Sequence, residues 1–161
     1  MSFVYQPVRY DGALGDVGAC SLRQHDAPRE IQRPNVTVQY LATGESTDGQ
    51  YGLYRWEMGP APAGPDPHFH RTLTEAFYVL TGSVRLFDGR HWTEGVPGDF
   101  LHVPFGGVHA FRNESGQPAS MLILFTPGAP REDYFERVGT VARMSPQERE
   151  AFFLTHDTFW V

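Results

Sequence analysis

The sequence predicts an all-β fold, a barrel or sandwich of short strands followed by two C-terminal helices. Three observations carry this expectation. Short apolar runs rich in β-branched and aromatic residues recur through the middle of the chain. The 17 glycines and 13 prolines fall largely between those runs, as turn residues do in all-β proteins. After "TPGAP" the apolar spacing lengthens from the strand period toward the helical one. With 161 residues the chain is expected to be one domain, able to bury a core without covalent staples.

The elements follow in order. Residues 1–34 are broken by "DGALGDVGA", Pro28 and Pro34, and read as an arm paired with the barrel edge or with another subunit. From Asn35, "NVTVQYLA" alternates Val36, Val38 and Tyr40 on one face, and "YGLYRWEM" repeats the pattern. "EAFYVLTG", "SVRLF", "HW", "DFLHVP", "HAFRN" and "SMLILFTP" complete the strands, with "TEGVPGD" and "NESGQP" as turns. Asp88-Gly89 signals a two-residue hairpin of type I′, whose central residues both need positive φ. In "REDYFERVGTV", Tyr134, Phe135 and Val138 can share a helical face. Ser145-Pro146-Gln147-Glu148 is a capping box with proline at the first helical position. The expected divisions are an arm at 1–34, a barrel at 35–128 and a helical segment at 129–161. No internal repeat or low-complexity segment interrupts them.

Charge and composition exclude some functions. A net charge of -6 without a cluster of Lys and Arg argues against nucleic acid as partner. The lone Cys20 can form no internal disulfide and no thiolate metal cage, and reads as an inert thiol. "MSFVYQPVRY" lacks the basic and apolar regions of a secretion signal, and no stretch reaches membrane-spanning length, so a cytoplasmic protein with no membrane partner is expected.

One stretch is chemically unusual. In "PDPHFHRTLTEAFYVLTG", His68 and His70 are two residues apart, so in a strand both project to one face and Phe69 to the other. Glu75 follows a short link and can be folded back toward them. Two imidazoles and a carboxylate suit a borderline divalent ion: Fe, Mn, Ni, Co or Zn. The isolated His25, His91 and His156 read as structural or surface residues. His102, in a strand near the pair, reads as an ordinarily buried side chain.

A second stretch, "GDFLHVPFGGVHAFRN", supplies Gly98, Pro104, Gly106, His109 and Asn113. With His68, His70, Glu75 and Gly82, these resemble the two signature motifs of the cupin superfamily. Those motifs read H-x-H, three or four residues, E, six residues, G, and then G-x5-P-x-G-x2-H-x3-N. The chain departs upstream, where Pro62 stands at a position that is often glycine. The resemblance covers about residues 50–126 and implies a small cupin β-barrel, a double-stranded β-helix or jelly roll. It also implies one divalent metal held by His68, His70, Glu75 and His109. Such a ligand set leaves open positions, unlike a closed structural zinc site. Gly82, Gly98 and Gly106 are expected to serve as turns, and Asn113 to steady one.

The single motif pair implies a monocupin, and intact ligand positions imply an enzyme. The chain is also similar to bacterial flavonol (quercetin) dioxygenases and to cupins acting on aromatic polyketides. That similarity implies a dioxygenase cleaving or oxidising an enolic aromatic substrate, with Glu75 as catalytic base. The alternatives are an oxygen-independent isomerase, cyclase or decarboxylase, and a non-catalytic small-molecule-binding cupin. Cupins commonly pair, so a homodimer is expected. The aromatics Phe69, Phe77, Tyr78, Phe100, Phe105 and Phe111 line or surround the barrel. Phe152, Phe153, Phe159 and Trp160 suggest that the segment from Ser145 gates the pocket as a lid, dispensable for folding after Met144.

Overall fold

Alternation of buried and exposed side chains builds the central strands of the fold, for which a computed structural model describes residues 7–161. Residues 1–6 of the expected N-terminal arm lie outside the described residues. Eleven strands form: β1 (Ile31–Arg33), β2 (Val36–Ala42), β3 (Gly52–Met58), β4 (His68–Phe69), β5 (Thr74–Thr81) and β6 (Val84–Phe87). They continue with β7 (Trp92–Gly95), β8 (Phe100–Val103), β9 (Ala110–Arg112), β10 (Ala119–Thr126) and, at the C-terminus, β11 (Phe159–Trp160). Two helices, α1 (Arg131–Arg137) and α2 (Pro146–Thr155), lie between β10 and β11, linked by a 3-10 turn. The chain is thus all-β with two C-terminal helices.

One wall is a six-stranded sheet in the order β1-β2-β3-β10-β5-β8. The other combines β7-β6-β9 with the short pair β11-β4. Bridges between Ala63 and Asn113 and between His68 and His109 join those two pieces. β10 is central and paired antiparallel on both sides, and it turns Met121, Ile123 and Phe125 inward at nearly zero exposure. Phe77 and Val79 of β5 and Tyr54 of β3 meet them. Burying each such side chain contributes about 1.5–3 kcal/mol, so this seam dominates the stability of the barrel.

The expected strands from β2 to β10 are all present, and β1 lies within the stretch expected to be arm. Between residue 7 and β1 the chain is irregular, with Val8, Leu14, Val17 and Leu22 exposed. Cys20 is a free, exposed thiol. The β6–β7 hairpin differs from expectation. Phe87 pairs with Trp92, so residues 88–91 form a four-residue connection, and Gly89 rather than Asp88 takes positive φ. The Asp88 carboxylate accepts from the N–H groups of Arg90 (2.8 Å) and His91 (2.7 Å), closing the turn through its side chain instead.

α1 buries Tyr134 and Phe135 against the barrel, with Val138 partly buried beyond its end. The capping box of α2 forms as expected: Ser145 N–H donates to Glu148 Oε2 at 2.8 Å, and Glu148 N–H to Ser145 Oγ at 3.3 Å. Phe152 of α2 is buried and stacks on Tyr134, 5.6 Å between ring centroids. Among the described residues, no helix is long and apolar enough to cross a membrane.

Candidate metal centre

β4 places the imidazoles of His68 and His70 on the inner side and Phe69 on the outer side, where it stacks on Phe159. Glu75 shares the inward face of β5 with Phe77 and Val79. His109, just before β9, exchanges backbone hydrogen bonds with His68 at 2.9 and 3.0 Å. The Gly106 N–H donates to the His70 carbonyl at 2.7 Å, from a backbone with φ of 74° that favours glycine. Backbone pairing alone therefore brings the two distant motifs together. The candidate ligand atoms of His68, His70, Glu75 and His109 lie within 4.8 Å of one another, and all four residues are buried.

The imidazoles are oriented alike. His68 Nδ1 donates to the Asp66 carbonyl (2.9 Å), His109 Nδ1 to that of Gly107 (3.0 Å) and His70 Nδ1 to that of Asp157 (2.5 Å). A carbonyl can only accept, so each Nδ1 carries the hydrogen and each Nε2 offers a lone pair. Glu75 Oε2 lies 2.7 Å from His109 Nε2 and 3.3 Å from His70 Nε2. The His70 contact lacks hydrogen-bond geometry, and this Nε2 is buried without a partner among the described residues. Lone pairs converging on a carboxylate oxygen repel unless a proton or a cation stands between them. A divalent ion fits that arrangement, and three imidazoles with one carboxylate suit a borderline transition metal.

The electrostatics agree. Burial, together with the nearby His109, pushes His68 down to about 3, so its imidazole is neutral at pH 7. Burial would raise Glu75, but contact with His109 and His70 outweighs it and holds the carboxyl well below the usual range. Burial would lower His109, yet the Glu75 carboxylate carries it above the ordinary histidine value, so without a cation a proton bridges its Nε2 and Glu75 Oε2, at the place a metal ion would take.

The cluster borders a cavity of about 240 Å³ that His68 and Glu75 line with Trp56, Phe111, Phe125, Tyr134, Phe135 and Trp160. This is several times the roughly 30 Å³ share of a liquid water, so it admits an organic ligand. Two cations reach its wall. Arg33 is committed, donating from Nη2 to the Phe135 (2.7 Å) and Glu136 (2.8 Å) carbonyls. Arg131, 3% exposed, donates from Nη1 to the His156 carbonyl and lies over the rings of Tyr134, Phe125 and Phe135. Cation–π contacts of about 0.5–2 kcal/mol do not match the several kcal/mol lost in taking a cation out of water.

The C-terminal segment corrects the lid expectation. β11 pairs with β4, Trp160 opposite His68, their rings 5.2 Å apart. The Asp157 carbonyl orients His70, and its carboxylate accepts from the N–H groups of Arg71 (3.0 Å) and Thr72 (2.7 Å) and from the Thr72 hydroxyl. With Phe152 and Thr158 buried, the segment completes the core and the site.

The other sequence candidates are also placed. His102 is exposed, which overturns its expected burial: in β8 the inward residue is its neighbour Val103. His25 and His91 are exposed, and His156 packs on Phe152. Asn113 is fully buried and steadies a turn, donating to the Gly59 and Gln117 carbonyls and accepting from Ser115. Gly82 takes a φ of 69°, as a turn requires. Of the aromatics, Phe77 and Phe111 are core residues, whereas Tyr78, Phe100 and Phe105 face outward. Arg131 and Asp157 reach the site without any motif to mark them, since both arrive through tertiary folding of a tail remote in sequence.

Comparison with known proteins fits this geometry. Residues 54–125 match the Cupin domain family. The chain is 36% identical over 104 residues to quercetin 2,3-dioxygenase of Bacillus subtilis (strain 168), an alignment covering 62% of this chain and 28% of that protein. The structure resembles that of KdgF from Halomonas sp. with a TM-score of 0.58 at 18% identity, covering 68% of this chain and 94% of that one. It also resembles a sugar phosphate isomerase from a cupin superfamily from Silicibacter pomeroyi DSS-3, with a TM-score of 0.50 and 27% identity, covering 57% and 59%. With both signature motifs folded into one barrel, residues 54–125 form a Cupin domain and the chain has the cupin fold.

Proposed function

We propose that this protein is a metal-dependent cupin dioxygenase acting on an enolic aromatic, flavonol-like substrate. The observation that carries the reading is a three-histidine, one-glutamate cluster bordering a cavity that six aromatic side chains help to line. The 36% identity to a quercetin 2,3-dioxygenase supports it. His68, His70, Glu75 and His109 would hold a divalent transition ion, which supplies Lewis-acid charge and open coordination positions when bound.

The chain's own residues do the rest. Glu75, ionised at neutral pH, takes the enol proton; its Oε2 faces the imidazoles, leaving Oε1 for that task. The resulting enolate is electron-rich and reactive toward dioxygen. Trp56, Phe125 and Trp160 flank a planar ring and exclude water. The Asp66, Asp157 and Gly107 carbonyls fix the imidazole orientations.

A second reading, oxygen-independent isomerisation, cyclisation or decarboxylation, draws support from the 27% identity to a sugar phosphate isomerase. A non-catalytic small-molecule-binding cupin is the third. Metal analysis of protein purified without chelator, then turnover of flavonols and related enols under air and under nitrogen, tests them. Oxygen uptake matched to substrate loss is expected. Equal turnover under nitrogen refutes the dioxygenase reading, and tight binding without turnover favours the binder. We also infer a cytoplasmic homodimer, its exposed apolar arm residues covered by the second copy; a monomer mass by light scattering refutes the pairing.

A further inference from the structure

We propose that Arg131 is an anion-binding group of this cavity and that the substrate carries a carboxylate beside its enolic ring. The proposal rests on the reading of the cavity as a metal-dependent substrate site. Arg131 begins α1 and lines the same cavity as Glu75 and His68. A guanidinium has five N–H donors. The Nη1 group reaches the His156 carbonyl, while the Nε–H is buried with no partner. No carboxylate forms an ion pair with Arg131 among the described residues. The faces of Tyr134, Phe125 and Phe135, 4.2, 5.1 and 5.7 Å from the guanidinium carbon, hold the cation but offer no in-plane acceptor.

Buried charges are normally paired, and here the space beside the unpaired one is a ligand cavity. The sum of charges points the same way. A dication and the Glu75 carboxylate leave one positive charge, Arg131 adds a second, and Arg33 is already satisfied by backbone carbonyls. Transfer of the enol proton to Glu75 leaves this sum unchanged, so a neutral flavonol compensates none of the positive charge, whereas a substrate carboxylate compensates one unit of it. If Arg131 serves only to fasten the tail to α1, it will not distinguish a charged ligand from its neutral isostere.

The test compares benzoate with benzamide, by calorimetry, on zinc-loaded and metal-free protein. In the zinc-loaded parent, benzoate should bind at least about tenfold tighter. Zinc itself attracts benzoate, but that attraction is shared by variants keeping the four ligands. In Arg131→Met the benzoate preference should shrink to within about threefold of the metal contribution alone, and in Arg131→Lys it should largely persist. The Arg131 side-chain N–H resonances of the parent should move with benzoate and not with benzamide, in both metal states. Unmoved resonances, or an undiminished preference in Arg131→Met, overturn the proposal. The resonance arm needs no variant to fold, and the metal-free arm needs no metal. Binding is read without turnover, so failure of oxygen uptake sinks the dioxygenase reading and leaves this one standing.

Discussion

Replacing Asp157 tests whether the C-terminal strap is part of the site. Asp157 has a φ of 49°, in the left-handed region where Asp and Asn are tolerated and alanine costs about 1–2 kcal/mol. Its carboxylate also accepts from two backbone N–H groups and one hydroxyl. Hydrogen bonds to a charged group contribute about 1.5–3 kcal/mol each, and roughly half that here, because the loop is only partly buried. Asp157→Ala should therefore lose about 3–6 kcal/mol in equilibrium urea denaturation of metal-free protein. Asp157→Asn, which keeps the backbone conformation, should lose less. Freeing the carbonyl that orients His70 should also weaken metal binding about 10–100-fold in a chelator competition. Partial burial raises the Asp157 carboxyl, but the N–H groups of Thr72 and Arg71 and the Thr72 hydroxyl outweigh it and hold it below the usual range. Its stabilisation is then present above the unfolded-state value of about 3.9 and is lost as pH falls through the lower folded value. Asp157→Asn should accordingly lose less stability than the parent on acidification below about pH 4. An Asp157→Ala protein within about 0.5 kcal/mol of the parent, with unchanged metal affinity, would show the strap to be passive.

Three further outcomes follow. His109→Ala should fold but hold far less than one metal per chain by elemental analysis; stoichiometric metal would refute the ligand assignment. Metal-saturated Glu75→Gln should turn over roughly a hundred- to ten-thousand-fold more slowly, because a neutral amide cannot take the substrate proton. Activity within a few-fold of the parent would remove the base and leave the metal site standing. Phe152→Ala should cost about 3–5 kcal/mol in urea denaturation, since Phe152 is buried against Tyr134; a loss below about 1 kcal/mol would restore the expectation of a dispensable C-terminal segment.

Local signals locate an element where strand pleat or helix-cap geometry alone decides its residues' state. Period-2 alternation in "NVTVQYLA" and "SMLILFTP" located β2 and β10, and the capping box located the start of α2, because strand pleat and cap geometry are set within a few residues. The two-residue spacing of His68 and His70 put both imidazoles on one face for the same reason. The partnership of Glu75 and His109 came from motif resemblance, and the backbone bridge between His68 and His109 provides its physical basis. The Asp88-Gly89 turn departs from the type I′ expectation because an Asp side chain can close a turn by accepting hydrogen bonds, a competition that the dipeptide does not reveal. His102 was expected to be buried, but which face of β8 turns inward depends on its pairing with β5. Phe152, Phe153, Phe159 and Trp160 read as a cover over an apolar mouth, yet folding pairs β11 with β4, ties the Asp157 carbonyl to His70 and leaves Arg131 Nε without a partner among the described residues. Sequence by itself determined the strands, the cap and the imidazole pair, since each depends on local periodicity. Only the tertiary structure decided how the tail serves the site, because contacts between residues some 90 positions apart depend on how the whole chain closes.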